Sequence, residues 1–301
     1  MEGSNDLIHF RKQMHNSSKQ PSQNTPLPHR EGQGGGSRIV VKIGSNALTR
    51  PDGRLDVTRM SALVDQIAWL RSKDCEVILV SSGAVACGRR ELNIEHELDS
   101  VEQRQLFSAL GQAKLIGLYY DLFREYHIHV GQVLTMKENF RPGEQYRNQQ
   151  QCMRVMLENG VLPIVNENDT VSVTELMFTD NDELSGLIAQ MMQADTLILL
   201  SNIDGIYTGN PADPQSQLIK EVAPGTDLSQ YIQSEKSSAG RGGMQSKYAT
   251  ATRIQQSGIN VIIANGKREN ILIDLMERAA ETPHTIFCKN NITNITKPLT
   301  L

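Results

Sequence analysis

Short apolar runs recur along the chain from Arg38 onwards, and each consists mainly of Val, Ile and Leu. The runs are nearly continuous and lack the strict alternation of polar and apolar residues that marks a half-exposed strand. Continuous runs are typical of strands that are buried on both faces of a parallel sheet. The predicted strands are IVVKIG (39–44), EVILVSS (76–82), HVGQVLT (129–135), VLPIVNEN (161–168), DTLILLSN (195–202) and NVIIANG (260–266).

Longer segments with the period of an α-helix separate these runs. In the first of them Leu63, Ile67 and Leu70 share one helix face, and Asp56 or Thr58 could cap its start. The helical segments cover residues 57–73, 103–126, 144–160, 181–193 and 242–258. This alternation predicts an α/β fold, a three-layer αβα sandwich with a mainly parallel central sheet. In such folds ligands bind beyond the carboxyl ends of the strands.

The character of the sequence divides the 301 residues into three parts. Residues 1–37 are rich in Ser, Gln, Asn, Pro and Gly, which predicts a disordered polar tail because they offer too little apolar surface to offset the entropy of ordering them. Residues 38–290 hold all the predicted strands and helices and form the predicted folded domain. Residues 291–301 form a C-terminal tail.

Composition and charge mainly exclude classes of protein. An apolar fraction of 39% and a charged fraction of 21% are ordinary for a globular protein, and a net charge of -4 argues against a nucleic-acid partner. No stretch approaches the roughly 18 apolar residues of a membrane span, and the N-terminus lacks the apolar core of a signal peptide. Cys75, Cys87, Cys152 and Cys288 form no C-x-x-C pair, and no histidine cluster has metal-ligand spacing. We therefore expect reduced thiols, no metal site and a cytoplasmic protein.

Small, polar or charged residues follow several of the predicted strands. They are Lys42, Gly44 and Ser45 after the first strand, Ser82 after the second, Asn166, Glu167, Asn168 and Asp169 after the fourth, and Ser201 and Asn202 after the fifth. Ordinary turn chemistry explains any one of these groups, since Gly, Ser, Asn and Asp are common loop residues. Together with a glycine-rich basic loop, they favour a binding site at this edge of the sheet.

Two lysines predict an anion site there. Lys42, near the end of an apolar strand, would be costly to bury without a partner, so its ammonium either reaches solvent or meets an anion. The loop SSAGRGGMQSK (237–247) places Lys247 about one turn into a helix, and helix N-termini favour anions. This loop is not a P-loop, because a glycine precedes the lysine of a P-loop and a serine precedes Lys247. The small residues Gly44 and Ser45 would let backbone N–H groups approach a phosphate closely.

The acidic segment FTDNDEL (178–184) offers carboxylates to the same edge of the sheet. One interpretation is a helix N-cap by Asp180 or Asp182, with Glu183 complementing the helix dipole. The other is functional, with a carboxylate that holds Mg²⁺ through water or orients the two lysines. The interpretations are compatible, because capping would fix the acids in place.

Cationic groups, backbone donors and a candidate metal ligand together fit phosphoryl transfer. The strand-end residues named above and the segments 178–184 and 237–247 contain no histidine. A carboxylate acceptor is already ionised near neutral pH and needs no general base, whereas a hydroxyl acceptor ordinarily needs one. The pattern therefore favours a carboxylate substrate and an acyl-phosphate product.

In this order the motifs resemble the amino acid kinase family, and within it the glutamate 5-kinases. The matching segments are VVKIGSNALT (40–49), VSSGAVACG (80–88), ALGQAKL (109–115), HVGQVL (129–134), PIVNENDTV (163–171), TDNDELSGLIA (179–189), LLSNIDGIYTGNP (199–211) and GRGGMQSK (240–247). The resemblance implies that residues 38–290 are a catalytic domain that uses ATP and Mg²⁺ to phosphorylate the γ-carboxylate of L-glutamate, the first step of proline biosynthesis. It further implies a homo-oligomer, feedback inhibition by proline and a glutamyl phosphate reductase that takes the product.

The family's functional residues fall on matching positions of this chain. The resemblance implies that Lys42 and Lys247 stabilise charge on the transferring phosphoryl group and that Asp182 organises both lysines. The implied substrate-binding residues are Ser82, Asp169 and Asn181. The implied nucleotide-binding residues are Lys42, Gly44, Ser45, Ser201, Asn202, Arg241, Gly242, Gly243, Met244, Gln245, Ser246 and Lys247.

The sequence departs from the family pattern in two respects. Ser201 and Asn202 stand where a threonine and an aspartate are usual, and Arg241 replaces a small residue. The PUA-type domain that many bacterial members carry is not expected after residue 290. Two alternatives stay open: a sister kinase acting on N-acetylglutamate, aspartate, carbamate or UMP, and a non-catalytic sensor of nucleotide or amino acid.

Overall fold

A single sheet of eight strands runs through the part of the chain that the computed structural model describes. The described residues are 36–89, 91–92, 97–172, 178, 180–232 and 243–289. The strands are β1 (Arg38–Ile43), β2 (Glu76–Ser81), β3 (Val130–Thr135), β4 (Leu162–Glu167), β5 (Thr196–Ser201), β6 (Glu221–Val222), β7 (Asn260–Asn265) and β8 (His284–Phe287).

The strand order places β1 in the middle of the sheet. The order is β3-β4-β2-β1-β5-β7-β8-β6. Strands β3, β4, β2, β1, β5 and β7 are parallel, whereas β8 is antiparallel to β7 and parallel to β6. Lys42 of β1 lies opposite Val80 of β2 and Leu199 of β5. The carboxyl ends of the central strands therefore meet at one edge of the sheet, where the polar segments follow.

Helices cover both faces of this sheet. They are α1 (Ser45–Leu48), α2 (Val57–Ser72), α3 (Ala84–Gly88), α4 (Ser100–Arg124), α5 (Glu144–Glu158), α6 (Asn181–Met191), α7 (Met244–Gln256) and α8 (Ile271–Glu277), with 3-10 turns at Lys137–Phe140 and Ser229–Tyr231. Alternate residues of β1 enter different cores: Ile39 and Val41 pack with α2, α4 and α8, and Val40 packs with α6 and α7. The predicted αβα sandwich is confirmed.

Helix α2 follows the sequence prediction closely. Leu63, Ile67 and Leu70 are fully buried, and burying each such side chain contributes roughly 1.5–3 kcal/mol. Of the two predicted caps, Asp56 is the one that acts, because its side chain accepts a hydrogen bond of 3.1 Å from the Arg59 backbone N–H.

One prediction about the sheet is wrong, and two strands were missed. Strand β3 is not buried on both faces, because it is the sheet edge, and Leu134 is 38% exposed. Strands β6 and β8 were not predicted, because runs of two and four residues carry too little periodicity.

Residues 1–35 and 290–301 lie outside the described residues, so both predicted tails and the domain boundaries stay predictions. Within the described ranges, no helix combines the length and the apolar character that crossing a membrane requires.

Helices α3 and α4 pack backbone against backbone through two glycines. A Cβ on Gly88 would lie 1.8 Å from the Phe107 carbonyl oxygen, and a Cβ on Gly111 would lie 1.7 Å from the Ala84 carbonyl oxygen. Only residues without a side chain allow this approach. The turn between β2 and α3 also needs a glycine, because Gly83 has a φ of 108°.

Candidate active site

Three charged side chains converge beyond the carboxyl end of β1. The Lys42 Nζ lies 2.7 Å from Oδ1 of Asp182, and the Lys247 Nζ lies 2.9 Å from Oδ2 of the same carboxylate. The side chains of Lys42, Asp182 and Lys247 are 6%, 0% and 8% exposed. Two positive charges and one negative charge leave the cluster with a net charge of +1, which suits the binding of an anion.

Different elements supply the two lysines. Side chains alternate along a strand, so Lys42 points to the same face as Val40, the face that α6 and α7 cover. Gly243 precedes the first residue of α7, and Lys247 follows one turn later, as predicted. Strand β1 and helix α7 therefore bring the lysines to Asp182 from two sides.

The start of α6 fixes the acidic groups. Asp180 is the N-cap, and its Oδ1 accepts hydrogen bonds from the backbone N–H groups of Asp182 at 2.9 Å and Glu183 at 3.0 Å. Capping leaves Asp182 in the first turn with its side chain towards the lysines. Both earlier interpretations of the acidic segment thus apply at once: Asp180 caps, and Asp182 contacts the cations.

The two buried aspartates have opposite pKa shifts. Burial alone would raise the pKa of Asp182, but the charges of Lys42 and Lys247 and their hydrogen bonds outweigh burial and hold that pKa below its usual value. Burial and the neighbouring Asp182 charge raise the pKa of Asp180, against the hydrogen bonds from Ser246 and Glu183. At neutral pH Asp182 is therefore firmly ionised.

Gly44 provides space beside the first lysine. A Cβ on Gly44 would lie 3.1 Å from the Lys42 Nζ and 3.3 Å from the Leu200 carbonyl oxygen. The sequence predicted that the small residues Gly44 and Ser45 would let backbone N–H groups approach a phosphate. The Gly44 N–H donates to the Leu200 carbonyl at 3.3 Å, and the approach of a phosphate stays a prediction. Because Gly44 has no side chain, the Lys42 ammonium can lie close to its backbone. Ser45 begins α1 directly after Gly44.

Two of the predicted substrate residues are in direct contact. The Asn181 Nδ2 donates to the Ser82 Oγ at 2.9 Å and to the Asn166 Oδ1 at 3.0 Å. The ends of β2 and β4 and the start of α6 therefore meet around one amide. Asn181 precedes Asp182, so this polar group adjoins the lysine cluster along the chain.

Asp169, the third predicted substrate residue, is paired with an arginine that the sequence prediction missed. The Arg104 Nε donates to the Asp169 Oδ1 at 2.8 Å, and the Arg104 Nη2 donates to the Glu167 Oε2 at 2.9 Å. A signal for Arg104 was present, because Arg104, Ser108 and Gln112 recur every fourth residue of α4 and line one polar face. Glu167 is itself part of the segment PIVNENDTV (163–171).

Comparison with known proteins identifies the family. The model of the amino acid kinase family matches residues 37–265. The chain belongs to the amino acid kinase family. Proteins named glutamate 5-kinase are among its relatives: one from Bacteroides thetaiotaomicron is 65% identical over 83% of this chain and 70% of its own length. Others from Chlorobaculum tepidum and Symbiobacterium thermophilum are 47% and 40% identical, over 78% and 84% of this chain and 65% and 96% of their own lengths.

Solved structures of other kinases share the fold. Carbamate kinase from Giardia lamblia superposes with a TM-score of 0.62 at 15% identity, over 85% of this chain and 99% of that one. UMP kinase from Ureaplasma parvum gives 0.58 at 18% identity, over 84% and 99%. At such identities the likeness concerns the architecture alone.

The structure describes some of the residues that were predicted to bind the nucleotide. Ser201 ends β5, is 7% exposed, and accepts a hydrogen bond of 2.8 Å from the Gly266 N–H on its carbonyl oxygen. Asn202 follows it and is exposed. Gly243, Met244, Gln245 and Ser246 lie at the start of α7. Arg241 and Gly242 lie outside the described residues, so the phosphate-binding role of that loop stays a prediction.

An ion pair that sequence reasoning missed joins the ends of β5 and β7. The Arg268 Nε and Nη2 donate to the two carboxylate oxygens of Asp204 at 2.7 and 2.8 Å, and the Asn265 Nδ2 donates to Oδ1 at 3.1 Å. The hydrogen bond from Arg268 is the main cause that lowers the pKa of Asp204. The segment after Ser201 is thereby tied to the neighbouring strand.

The acidic side chains do not form a metal-binding cluster in the described part of the chain. No group of three or more His, Cys, Asp or Glu side chains there could hold an ion. Both oxygens of Asp182 contact lysine ammonium groups. Of the two functional roles predicted for the acidic segment, orientation of the lysines is the one with matching contacts.

Proposed function

We propose that the chain transfers the terminal phosphoryl group of ATP to the γ-carboxylate of L-glutamate, giving L-glutamyl 5-phosphate and ADP as the first step of proline biosynthesis. The relatives named glutamate 5-kinase, at up to 65% identity, support this choice of acceptor. The observation that carries the proposal is the pair of buried ammonium groups on one carboxylate, Lys42 and Lys247 on Asp182.

The reaction is a displacement at the terminal phosphorus. One oxygen of the acceptor carboxylate attacks the γ-phosphorus of ATP, a new P–O bond forms, and the bond to the β-phosphate oxygen breaks to release ADP. Charge spreads over the phosphoryl oxygens in the transition state, and catalysis rests on positioning and electrostatic stabilisation. Lys42 and Lys247, which contact different oxygens of Asp182, supply the positive charge.

Asp182 is suited to hold the lysines and poorly suited to be a base. Both of its oxygens contact ammonium groups, and its pKa lies below the usual value. The attacking carboxylate is already ionised at neutral pH, so the reaction needs no proton acceptor. Asp182 therefore acts as an organiser in the proposed mechanism.

The acceptor is held on the side of Ser82, Asn181 and Asp169. The hydroxyl and amide groups of Ser82 and Asn181 offer donors for carboxylates, and Asp169 offers a negative charge for the ammonium. The nucleotide lies towards Ser201, Asn202 and the start of α7. Mg²⁺ enters as part of the ATP–Mg co-substrate and neutralises phosphate charge. Proline inhibition, transfer to a reductase, a homo-oligomer and a cytoplasmic location remain predictions.

An acceptor panel tests the proposal. The full chain is incubated with ATP–Mg and L-glutamate, N-acetylglutamate, aspartate, carbamate or UMP, and ADP release and hydroxylamine-trapped acyl phosphate are measured. We expect hydroxamate and ADP with free glutamate alone. Product with another acceptor would assign a sister kinase activity. Binding of glutamate and ATP without turnover would assign a sensor instead.

A variant serves as control for the panel. Lys247→Met removes one ammonium group while leaving Ser82, Asn181 and Asp169 intact. We expect it to bind glutamate and to lose turnover, which ties the measured activity to this site rather than to a contaminating kinase.

A further inference from the structure

Arg104 of α4 links two acidic residues at the end of β4. Its Nη2 lies 2.9 Å from the Glu167 Oε2 and 2.5 Å from the Asp169 Oδ1, and its Nε donates to the same Asp169 oxygen at 2.8 Å. The arginine side chain is only 17% exposed, and those of Glu167 and Asp169 are 2% and 11% exposed. One guanidinium group thus forms ion pairs with two largely buried carboxylates.

Glu167 fixes the segment around Asp169 through hydrogen bonds. Its Oε1 accepts hydrogen bonds from the Ser172 Oγ at 2.8 Å and from the Phe178 N–H at 3.0 Å. Its other oxygen contacts Arg104. Glu167 therefore holds the chain on both sides of Asp169, in β4 and beyond residue 172, and the arginine connects this anchor to α4.

A further contact fixes the same segment to the helix. The Gln105 Nε2 donates to the Thr170 carbonyl oxygen at 2.8 Å. Successive residues of α4 thus contact the side chain of Asp169 and the backbone that follows it. Helix α4 therefore holds both the Asp169 carboxylate and the backbone that follows it.

We propose that Arg104 is a positioning residue that, with Glu167, holds Asp169 for the ammonium of an amino-acid acceptor. This inference rests on the proposed function and adds to it the reason why the acceptor must carry a free amine. Without Arg104, two neighbouring buried carboxylates would repel each other, and Asp169 would leave its place. With Arg104, the two acids and one cation keep a net charge of -1, which one substrate ammonium neutralises.

A positioning role for Arg104 can be distinguished from direct binding of the substrate carboxylates. An arginine that bound a carboxylate itself would matter whether or not Asp169 is present. An arginine that acts through Asp169 has nothing left to position once that carboxylate is removed. A double-mutant cycle measures this difference.

The experiment compares the full chain with Arg104→Gln, Asp169→Ala and the double variant. Initial rates give kcat, KM for glutamate and KM for ATP. We expect Arg104→Gln to raise KM for glutamate about tenfold or more, the scale of one charge-assisted hydrogen bond, with kcat and KM for ATP within about twofold. In the Asp169→Ala background we expect the same substitution to change KM for glutamate less than about threefold.

Matched variants keep the result interpretable. Arg124→Gln, on the exposed end of the same helix, should leave every constant at the wild-type value. Arg104→Lys retains the charge and should restore KM for glutamate to within a few fold of wild type. Where the glutamine variant fails to fold, the cycle is run with Arg104→Lys, whose smaller effect must also vanish without Asp169.

The possible outcomes are distinct. Equal effects of Arg104→Gln with and without Asp169, a loss in kcat or in KM for ATP, or no change in KM for glutamate would each overturn the positioning role. A wild-type chain that forms no acyl phosphate from glutamate would instead refute the proposed function. Non-additive changes confined to KM for glutamate, with rescue by lysine, support the inference.

Discussion

At the scale of single residues, the carboxylate of Asp182 determines what two buried lysines can do. A buried ammonium without a partner is costly, and two of them would repel each other. Asp182 contacts both and leaves one net positive charge. An incoming polyphosphate can neutralise that remaining charge, so the cluster is stable when empty and still attractive to an anion.

Replacing either lysine tests this arrangement. Lys42→Met and Lys247→Met should each lower kcat for acyl-phosphate formation by roughly 10²-fold or more, the cost of losing one transition-state donor in other enzymes. Initial-rate kinetics measure the effect. Lys114→Met serves as control, because that exposed lysine on α4 pairs with Glu91 away from the cluster. Near-normal kcat in both site variants would contradict the assignment.

A buried histidine predicts part of the pH dependence of stability. His284 in β8 is 9% exposed, and its Nδ1 lies 2.7 Å from the Thr282 carbonyl oxygen. Burial lowers its pKa below 6.5, with a smaller effect of the Lys220 charge and an opposing one from the Thr282 hydrogen bond. Below pH 6.5 the unfolded chain therefore binds a proton that the folded chain resists. Stability is fully present above that pH and falls as the pH drops towards the folded-state value.

His284→Gln should remove this contribution. Its thermal midpoint should fall less than that of the wild type between about pH 7 and pH 5, because glutamine stays neutral throughout. His129→Gln, at an exposed position, should keep the wild-type dependence. Parallel curves for His284→Gln and the wild type would show that this histidine does not contribute.

At the scale of elements, the close contact of α3 and α4 fixes the end of β2. Helix α3 begins two residues after Ser82, so its position controls where that hydroxyl lies. Gly88 and Gly111 allow the two helix backbones to touch, and Gly83 makes the turn that leads into the contact. The segments VSSGAVACG and ALGQAKL thus act together as one structural unit.

A methyl group at this contact should separate the helices. Gly111→Ala should lower the free energy of unfolding by at least about 1–3 kcal/mol, because its Cβ would meet the Ala84 carbonyl. Gly117→Ala is the matched control: it lies in the same helix with nothing within 4 Å, and it should stabilise by up to about 1 kcal/mol through helix propensity. Chemical denaturation measures both. Equal effects of the two substitutions would disprove the contact.

At the scale of the whole molecule, one ion cluster joins elements from distant parts of the chain. Lys42 belongs to the central strand, Asp182 to α6 and Lys247 to α7. Helices α6 and α7 also share a core with Val40. The cluster therefore stabilises the packing of one helix layer on the sheet as well as forming the candidate site.

Removing the shared carboxylate charge should affect the stability of the entire fold. Asp182→Asn removes the carboxylate charge that both buried ammonium groups contact, and breaking such a group typically costs about 3–5 kcal/mol of unfolding free energy. Urea denaturation monitored by circular dichroism gives the value. Asp121→Asn, an exposed partner of Arg124, should stay close to wild type. Wild-type stability of Asp182→Asn would mean that the lysines find other partners.

The sequence by itself determined the architecture and most of the candidate site. Continuous apolar runs such as those of β1 and β5 favour strands buried on both faces, and the periodic leucines of α2 indicate a helix face that packs on a core. The predicted strand ends and helix starts then placed Lys42, Asp182 and Lys247 at one sheet edge. These features follow from local pattern, which a sequence carries directly.

Tertiary structure alone decided which partners the polar residues choose. Strand β3 was predicted as a buried strand like the others, and only the strand order shows that it is the sheet edge, where Leu134 is exposed. The pairing of Arg104 with Glu167 and Asp169, and the use of the Gly44 N–H within the fold, depend on which elements lie side by side. Burial strengthens such contacts by excluding water, and burial is a property of the packed chain rather than of any segment.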